Sequence, residues 1–473
     1  MKKNILLVTL LVFSQSIFAT EFGDKNNKNK KKPNVLVIMT DEHNADVLGV
    51  TGNKIIQTPN LDKLASTGVY FDNTYCQNPV CTPSRASFIM GRLPSNVNVF
   101  GNDADHKDKQ YLKDQGPSLA HTLKAAGYEA EWMGKQHWGC SNQDLGFGDK
   151  GDAVELEQKT RSKPAKMMRK KIGRLPQNAE VSNYPKENDD DFVTADHAID
   201  YIKNAKEDQP FFLGVSFRKP HFPFEVQQEY FDLYEGKLSA PEVTSSMIED
   251  LPKNTKREYY RFKLDQMTPH QTQRALEMYY GMVTYIDEQI GRVINTLEEK
   301  GLRDNTIIVY LTDHGDMCGV KGCWYKNSYY EGSAKVPMII SYPKHFPKNK
   351  IEKADVNNMD IYPTICELAG IKTPEVIEGE TLVALVNGKQ DASERFAISE
   401  SYRSSYGSRM VKKGAWKYCH YEDSKDQLFN LEIDPKEMYN VIDDPKNKMI
   451  VAELKKLALK DFVKRKPNTA KSK

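Results

Sequence analysis

The stretch PNVLVIMTDEH, residues 33–43, decides the fold, because an unbroken apolar run follows a proline and ends in charged side chains. Such a run is typical of a strand buried on both faces of a parallel sheet. The same pattern returns in NTIIVYLTDHGD, residues 305–316, and helical patterns alternate with strand patterns from 33 to about 390. The alternation predicts an α/β fold with a doubly wound, mostly parallel sheet flanked by helices.

The chain divides into four predicted segments. Residues 1–19 have a positive start, a short apolar core and a final Ala, which indicate a signal peptide and not a membrane span. Residues 20–32 are a charged spacer that we expect to be disordered. The α/β domain then covers 33–394, and 395–473 form a smaller C-terminal α+β subdomain with short antiparallel strands and a closing amphipathic helix. We therefore expect an exported bacterial protein, periplasmic or extracellular.

Composition excludes one broad class of partner. The 67 basic and 65 acidic side chains give a net charge of +2, whereas a nucleic-acid-binding protein is usually strongly basic. Export permits disulfides, yet the chain has seven cysteines, an odd number. Whether any of them pair stays open. The C-x4-C spacing of Cys318 and Cys323 lacks a second pair, which argues against a zinc ribbon.

Acidic side chains follow both of the strongest predicted strands. Asp41 and Glu42 come after the first run, and Asp313 and His314 after the second. A single acid at a strand end is usually a solvated loop residue. Here two adjacent acids follow the first strand, and the carboxyl ends of buried strands are where ligands bind in open α/β sheets. Their carboxylates suit a hard divalent cation.

A second informative stretch is NPVCTPSRASFIMGR, residues 78–92, in which Cys81 is followed at fixed offsets by Pro83 and Arg85. The plainest interpretation is a buried free cysteine at a turn. A helix is predicted to start near Ser84, and its N-terminal N–H groups would point at Cys81. That arrangement favours an anionic substrate.

Further polar residues stand at predicted strand ends and in loops. In EAEWMGKQHWG (129–139), a lysine and a histidine two residues apart on an extended segment point to the same side. Residues 150–192 carry many charges with little apolar periodicity, and we interpret them as a surface excursion with solvated charge runs. Specificity would lie in the loops 100–116, 141–192 and 225–270. The candidate polar residues are Asn102, Lys135, His137, His221 and Lys326.

Six motifs occur in one order, PNVLVIMTDE, CTPSRAS, GKQHWG, KPHFPF, LTDHGD and KNSYYEGSAKVP, and the tail contains DQLFNLEIDPKEMYNV. In combination they resemble the type I, formylglycine-dependent sulfatases of the alkaline phosphatase superfamily, among them exported bacterial carbohydrate sulfatases. The resemblance covers nearly the whole chain after residue 32. It implies one Ca²⁺ ion. The ligands it implies are Asp41, Glu42, Cys81, Asp313 and His314, although many members have Asp at the second position.

The resemblance also implies a mechanism. Cys81 would be oxidised to formylglycine (3-oxoalanine) by a formylglycine-generating or anaerobic sulfatase-maturating enzyme, and the aldehyde hydrate would attack sulfur. His221 would be the general acid and His137 the base that releases sulfate. The implied catalytic residues are Cys81, Arg85, Lys135, His137, His221 and Lys326. Those implied to bind substrate are Asn102, Lys135, His221 and Lys326.

Two other functions remain as alternatives. A phosphate or phosphonate ester hydrolase on the same fold could use the same nucleophile, and a non-catalytic carbohydrate-binding relative could keep the fold. The expected substrate is a sulfated polysaccharide or oligosaccharide, and the protein would act as a sulfuric ester hydrolase in its degradation. The sugar, the position of its sulfate, endo or exo action and the oligomeric state stay open.

Overall fold

The first predicted strand forms as β1 (Asn34–Asp41), and all eight of its residues are buried. The structure, a computed structural model, describes residues 31–102, 112–343, 345–402 and 406–462. The predicted signal peptide and nearly all of the predicted spacer lie outside the described residues. Within the described ranges, no helix combines the length and hydropathy that a membrane span requires.

The strands belong to a seven-stranded sheet, a four-stranded sheet and a short two-stranded pairing. After β1 they are, in chain order, β2 (Val69–Tyr75), β3 (Glu129–Gly134), β4 (Glu180–Val181), β5 (Phe211–Pro220), β6 (Glu225–Val226), β7 (Thr306–Thr312), β8 (Met338–Ser341), β9 (Lys350–Asn357), β10 (Ala397–Ser401), β11 (Ser408–Lys413), β12 (Trp416–Tyr421) and β13 (Gln427–Asn430).

The main sheet has the strand order β3-β5-β1-β7-β8-β2-β9. Its neighbouring pairs are parallel except those of β8, which runs antiparallel to both β7 and β2. Thr40 of β1 lies opposite Thr312 of β7. This register brings Asp41 and Asp313, the residues that follow, to the same edge of the sheet. The predicted doubly wound, mostly parallel fold is confirmed.

Helices cover both faces of this sheet. In chain order, the helices of the described residues are α1 (Pro59–Ser66), α2 (Cys81–Met90), α3 (Leu119–Ala125), α4 (Lys150–Thr160), α5 (Lys163–Ile172), α6 (Asp190–Lys203), α7 (Gln228–Phe231), α8 (Ser245–Glu249), α9 (Lys253–Arg261), α10 (Pro269–Glu299), α11 (Glu331–Ala334), α12 (Ile361–Leu368), α13 (Val383–Val386) and α14 (Lys448–Leu459), the last of which packs on the small sheet.

The alternation of side chains along β1 explains why its sequence is apolar throughout. Leu36 and Ile38 join a core that contains residues of α1, α6 and α10. Val35, Val37 and Met39 face the opposite core, with residues of α2, α3 and α12. Since successive strand residues point to opposite faces, a strand covered on both sides needs apolar residues at every position.

The C-terminal part contains the predicted antiparallel sheet, with the order β10-β11-β12-β13, and the predicted closing helix, α14. Strands β9 and β10 form in addition to the strands predicted from the sequence. The backbone N–H of Glu400 in β10 donates to the carbonyl of Gln77 at 2.8 Å. The small sheet is therefore bonded to the segment that leads into α2. The boundary between 394 and 395 stays a prediction.

The interpretation of residues 150–192 as a surface excursion with solvated charge runs is partly right, because Lys163, Lys170 and Lys171 are exposed, but the segment is folded and part of its charge is buried. The segment contains α4 and α5, and the apolar residues of α5 recur at helical spacing to form a small core of their own. The three acids Asp189, Asp190 and Asp191 are buried. Asp189 accepts from the buried ammonium of Lys219 at 2.6 Å. Burial is possible because these charges have partners, which a run of acids in a sequence does not reveal.

All seven cysteines lie in the described residues, and none forms a disulfide. Six of them are buried. Cys318 and Cys323 join the apolar core on the α10 side of the sheet.

A buried lysine joins the small sheet to helix α11 and provides a stability test. The fully buried Lys417 of β12 contacts Glu331 at 2.7 Å, Glu437 at 2.5 Å and the carbonyl of Tyr329 at 2.8 Å. Lys417→Met leaves the buried carboxylate of Glu437 and the partly buried one of Glu331 without this cation. We expect the free energy of unfolding, measured by urea denaturation, to fall by about 3–5 kcal/mol.

The matched control is Lys413→Met on the neighbouring strand, where a partly exposed lysine pairs with the exposed Glu453 at 2.8 Å. Exposed pairs of this kind contribute about 1 kcal/mol or less. Equal losses in the two variants would contradict the assigned role of Lys417.

Candidate active site

Cys81 is the first residue of α2, so the helix starts three residues earlier than the sequence predicted. Its side chain is buried, and burial raises the pKa of its thiol. The Sγ atom lies 3.1 Å from Nζ of Lys326, 3.2 Å from Nε2 of His314 and 3.7 Å from Oδ1 of Asp41. The helix start thus places residue 81 among a cation, an imidazole and a carboxylate.

Arg85 holds this helix to the end of β7. Its Nε donates to Oδ2 of Asp313 at 2.6 Å, and neither side chain is exposed. A second NH group donates to Oγ of Ser216 at 2.9 Å, and Ser84 Oγ donates to the carbonyl of Asp313 at 2.5 Å. Burial opposes ionisation of Asp313, but Arg85 and then His314 hold the pKa of its carboxyl below the ordinary value. Arg85 therefore holds the carboxylate of Asp313 in place.

Four of the predicted metal ligands converge. One ligand atom from each of Asp41, Cys81, Asp313 and His314 lies within 4.8 Å of the others. Nδ1 of His314 contacts the carbonyl of Gly315 at 3.0 Å and must donate to it. That bond leaves the lone pair of Nε2 directed at the other three groups. The donor set of two carboxylates, an imidazole and residue 81 fits a divalent cation.

Glu42, the fifth predicted ligand, is fully buried at a left-handed backbone position with φ of 70°. Its Oε2 lies 3.3 Å from both Nζ of Lys326 and Nε2 of His221. Among the described residues no donor reaches Oε1. Burial raises the pKa of Glu42 well above the ordinary value, against the charge of Lys326. An unsatisfied buried carboxylate oxygen is costly, and a cation bound beside Asp41 would satisfy it.

Lys135 and His137 follow β3, but not on an extended segment as predicted. The strand ends at Gly134, whose φ is 83° and whose position leaves no room for a Cβ beside the carbonyl of Ser216. Nζ of Lys135 contacts Oδ2 of Asp41. His137 has a φ of 60°, and both residues nevertheless lie on the wall of one cavity. The pKa of Lys135 is lowered by burial.

His221 and Lys326 stand across from these residues. Nδ1 of His221 donates to the carbonyl of Phe222 at 2.6 Å, so Nε2 faces Glu42. Burial, and then the charges of Lys326 and Lys135, lower the pKa of His221. Burial opposes the charge of Lys326, but Cys81 and Glu42 hold the pKa of its ammonium above the ordinary value.

A cavity of about 810 Å³ gives access to Cys81. Asn102 also lines it, and its Oδ1 accepts from the N–H of Thr82 at 3.1 Å at the start of α2. Cations outnumber the two acids on the wall, Glu155 and Glu258, and a wall of this charge suits an anionic substrate. The cations are Lys135, Lys159, Lys166, Arg174, Arg218, Arg261 and Lys326.

Five of these cations were not predicted as site residues from the sequence, namely Lys159, Lys166, Arg174, Arg218 and Arg261. A signal was present in part of this set. The apolar residues around Lys166 recur at intervals of three and four, which is typical of an amphipathic helix whose other side is charged, whereas Arg174 lies beyond the end of that helix.

Comparisons with known proteins identify the family of this chain. The sequence profile of the sulfatase family matches residues 33–371. The chain belongs to the sulfatase family. A second profile, the C-terminal part of N-sulphoglucosamine sulphohydrolase, matches residues 319–464. The protein is therefore a sulfatase, an enzyme that hydrolyses sulfuric esters.

Similar proteins extend over most of the chain. The sulfatase is 31% identical over 446 residues to a choline-sulfatase from Rhizobium meliloti, covering 89% of this chain and 85% of that protein. It is also 31% identical to an arylsulfatase from Clostridium perfringens, covering 91% of this chain and 94% of that protein.

Two solved structures share the fold. One, in complex with its substrate D-glucosamine-2-N,6-O-disulfate, has a TM-score of 0.71 and 21% identity, covering 90% of this chain and 97% of that one. The other, a phosphonate monoester hydrolase of Agrobacterium radiobacter, has a TM-score of 0.72 and 23% identity, covering 90% of this chain and 94% of that one.

The cluster of ligand atoms predicts stabilisation by a divalent cation. A ligand that binds only the folded state stabilises it by about 2.7 kcal/mol at a hundred times its Kd. We expect Ca²⁺ to raise the thermal unfolding midpoint of chelator-treated protein, and Asp41→Asn to remove most of that rise. Asp208→Asn, which changes an exposed acid, should respond as wild type. An unfolding midpoint that no divalent cation raises would contradict the assignment.

Proposed function

We propose that this sulfatase removes sulfate from a sulfated saccharide outside the cytoplasm, with formylglycine at position 81 and one Ca²⁺ ion. The observation that carries the proposal is the position of Cys81. Its Sγ lies 3.1 to 3.7 Å from Lys326, His314 and Asp41, at the base of a cavity with a cationic wall. A maturating enzyme that recognises the C-x-P-x-R sequence would carry out the oxidation.

Two groups would supply chemistry that the unmodified side chains lack. A formylglycine at position 81 would supply the attacking oxygen, and a cation held by Asp41, Glu42, Asp313, His314 and residue 81 would offset negative charge on the sulfate. The side chains around the cavity would stabilise the developing charge and transfer protons.

Lys326 and Lys135 are the cations nearest to the reacting position. Lys326 contacts both Cys81 and Glu42, so its ammonium is held in place before the substrate arrives. Lys135 is held in the same way by Asp41. Donors that are already oriented stabilise charge that develops on sulfate oxygens without a cost of reorganisation. Arg85 has its own part, since it holds Asp313 in place from outside the cavity.

His221 is the proposed general acid. Its ring is oriented by the bond from Nδ1 to the carbonyl of Phe222, and Nε2 lies on the cavity side. Burial lowers its pKa, and the negative charge of a bound sulfate ester would raise it again toward the working pH. His137, on the opposite segment, is the proposed base for the release of sulfate.

The saccharide substrate is supported by the chemistry of the cavity. Its wall is polar and cationic, with Phe222, Phe262 and Tyr325 as aromatic residues on which a sugar ring could pack. One solved structure with the same fold holds a disulfated glucosamine. A second candidate function is hydrolysis of phosphonate esters, which the similarity to a phosphonate monoester hydrolase favours.

The proposed function is tested by turnover of defined sulfated oligosaccharides, 4-nitrophenyl sulfate and 4-nitrophenyl phenylphosphonate, with Cys81→Ala as the blank. We expect the highest kcat/KM on a saccharide sulfate and no turnover by the variant. Mass spectrometry of the active enzyme should find an aldehyde on the peptide that contains residue 81. Faster phosphonate turnover would favour the second candidate, and an active Cys81→Ala enzyme would refute the nucleophile.

The role of His221 predicts a dependence on the leaving group. An alkoxide from a sugar needs a proton as it leaves, whereas 4-nitrophenolate does not. We expect His221→Gln to lower kcat/KM by about 10²–10⁴ on a saccharide sulfate and by much less on 4-nitrophenyl sulfate. Equal losses on both substrates would assign His221 to binding and not to proton donation.

A further inference from the structure

We propose that Arg174 and Arg218 form a binding subsite for a second anionic group, a sulfate or carboxylate, on the saccharide whose sulfate is removed at position 81. The substrate class is therefore a saccharide with at least two anionic groups. This inference rests on the proposed function. It assigns a role to cations that the chemistry at Cys81 does not use.

The helix α5 presents a basic side toward the site. Lys166, Lys170 and Arg174 recur at intervals of four residues, and Arg174 follows the helix directly after Gly173. Lys166 lines the main cavity, Lys170 lines an adjoining cavity of about 420 Å³, and Arg174 lines both. The opposite side of the helix is held by a small core, Ala165, Met168, Ile172 and Tyr184.

Arg174 is tied to the reaction centre through its backbone. The hydroxyl of Tyr325 donates to the carbonyl of Arg174. Tyr325 directly precedes Lys326, whose Nζ lies 3.1 Å from Sγ of Cys81. The guanidinium is thus carried by a segment bonded to the cavity wall beside the nucleophile.

Arg218 meets the same space from the end of β5. It lines both cavities, as Arg174 does, and its backbone N–H donates to Oδ1 of Asp191 at 2.6 Å. Its side chain is 54% exposed and reaches Asp190 only at 3.4 Å. The same carboxylate oxygen of Asp190 is already engaged by Arg169 at 2.6 Å.

The cations further from Cys81 therefore have N–H donors available for an anion. Among the described residues, neither Lys170 nor Arg174 forms an ion pair with a carboxylate, whereas Lys135 and Lys326 contact Asp41 and Glu42. A guanidinium presents a planar pair of donors that matches a sulfate or carboxylate. Two such groups at the junction of the cavities form a place for an anion distinct from the scissile sulfate.

The test measures binding of disaccharides that lack a carboxylate and carry one, two or three sulfates, by calorimetry in a Cys81→Ala background. We expect affinity to rise with sulfate number. The largest ratio of affinities between two disaccharides that differ in sulfate number should be about tenfold or more. Arg174→Gln and Arg218→Gln should each reduce that ratio severalfold. Lys171→Gln, which changes an exposed lysine of the same helix paired with Glu180 at 2.9 Å, should keep the ratio.

The possible outcomes separate this inference from the function beneath it. Affinity that does not rise with sulfate number overturns the subsite. A rise in both arginine variants that equals the rise in the Cys81→Ala protein alone also overturns it. In either case the proposed function stands if the wild-type enzyme turns over sulfate esters. A loss of the ratio in Lys171→Gln as large as in Arg174→Gln assigns the effect to general electrostatic attraction and also overturns it. A wild-type enzyme that cleaves no sulfate ester overturns the proposed function itself.

Discussion

The ion pair between Arg85 and Asp313 is the constraint on which the site depends. Both side chains are fully buried and 2.6 Å apart, and a buried charge that loses its partner typically costs about 3–5 kcal/mol. The pair can form only if α2 begins beside the end of β7. Because Arg85 lies four residues after Cys81, one turn further along the helix, the same pair determines where residue 81 lies. The position of residue 81 is thus enforced by the ion pair between Arg85 and Asp313.

The sheet provides the other half of this arrangement. The register that sets Thr40 opposite Thr312 places Asp41 beside Asp313, and the parallel pairing of β3 with β5 ends at Gly134 opposite Ser216. Ser216 Oγ then accepts from Arg85. Side chains that are far apart in the chain meet because parallel strands end at one edge of the sheet. Asp41, Arg85 and Asp313 are buried there, which strengthens each electrostatic contact.

The charges are arranged in two tiers. Near Cys81, each lysine is held by an acid: Lys135 by Asp41 and Lys326 by Glu42. Further out, Arg174 and Arg218 stand where two cavities join. Lys135 and Lys326 are therefore held in place before any ligand binds. We propose that the outer tier distinguishes among substrates without altering the chemistry at residue 81.

The sequence by itself determined the α/β fold, the strands β1 and β7, the helix after Cys81 and the identity of the polar residues at the strand ends. Apolar runs and fixed motif spacings are local, so they can be read without a structure. Only the tertiary structure decided which charges are buried: Asp189, Asp190 and Asp191 look solvated in sequence but lie inside. It also decided that Arg85 lies behind the site and that residues 163–174 reach its cavity. Partners and burial depend on contacts between distant segments, and periodicity within one segment carries no information about them.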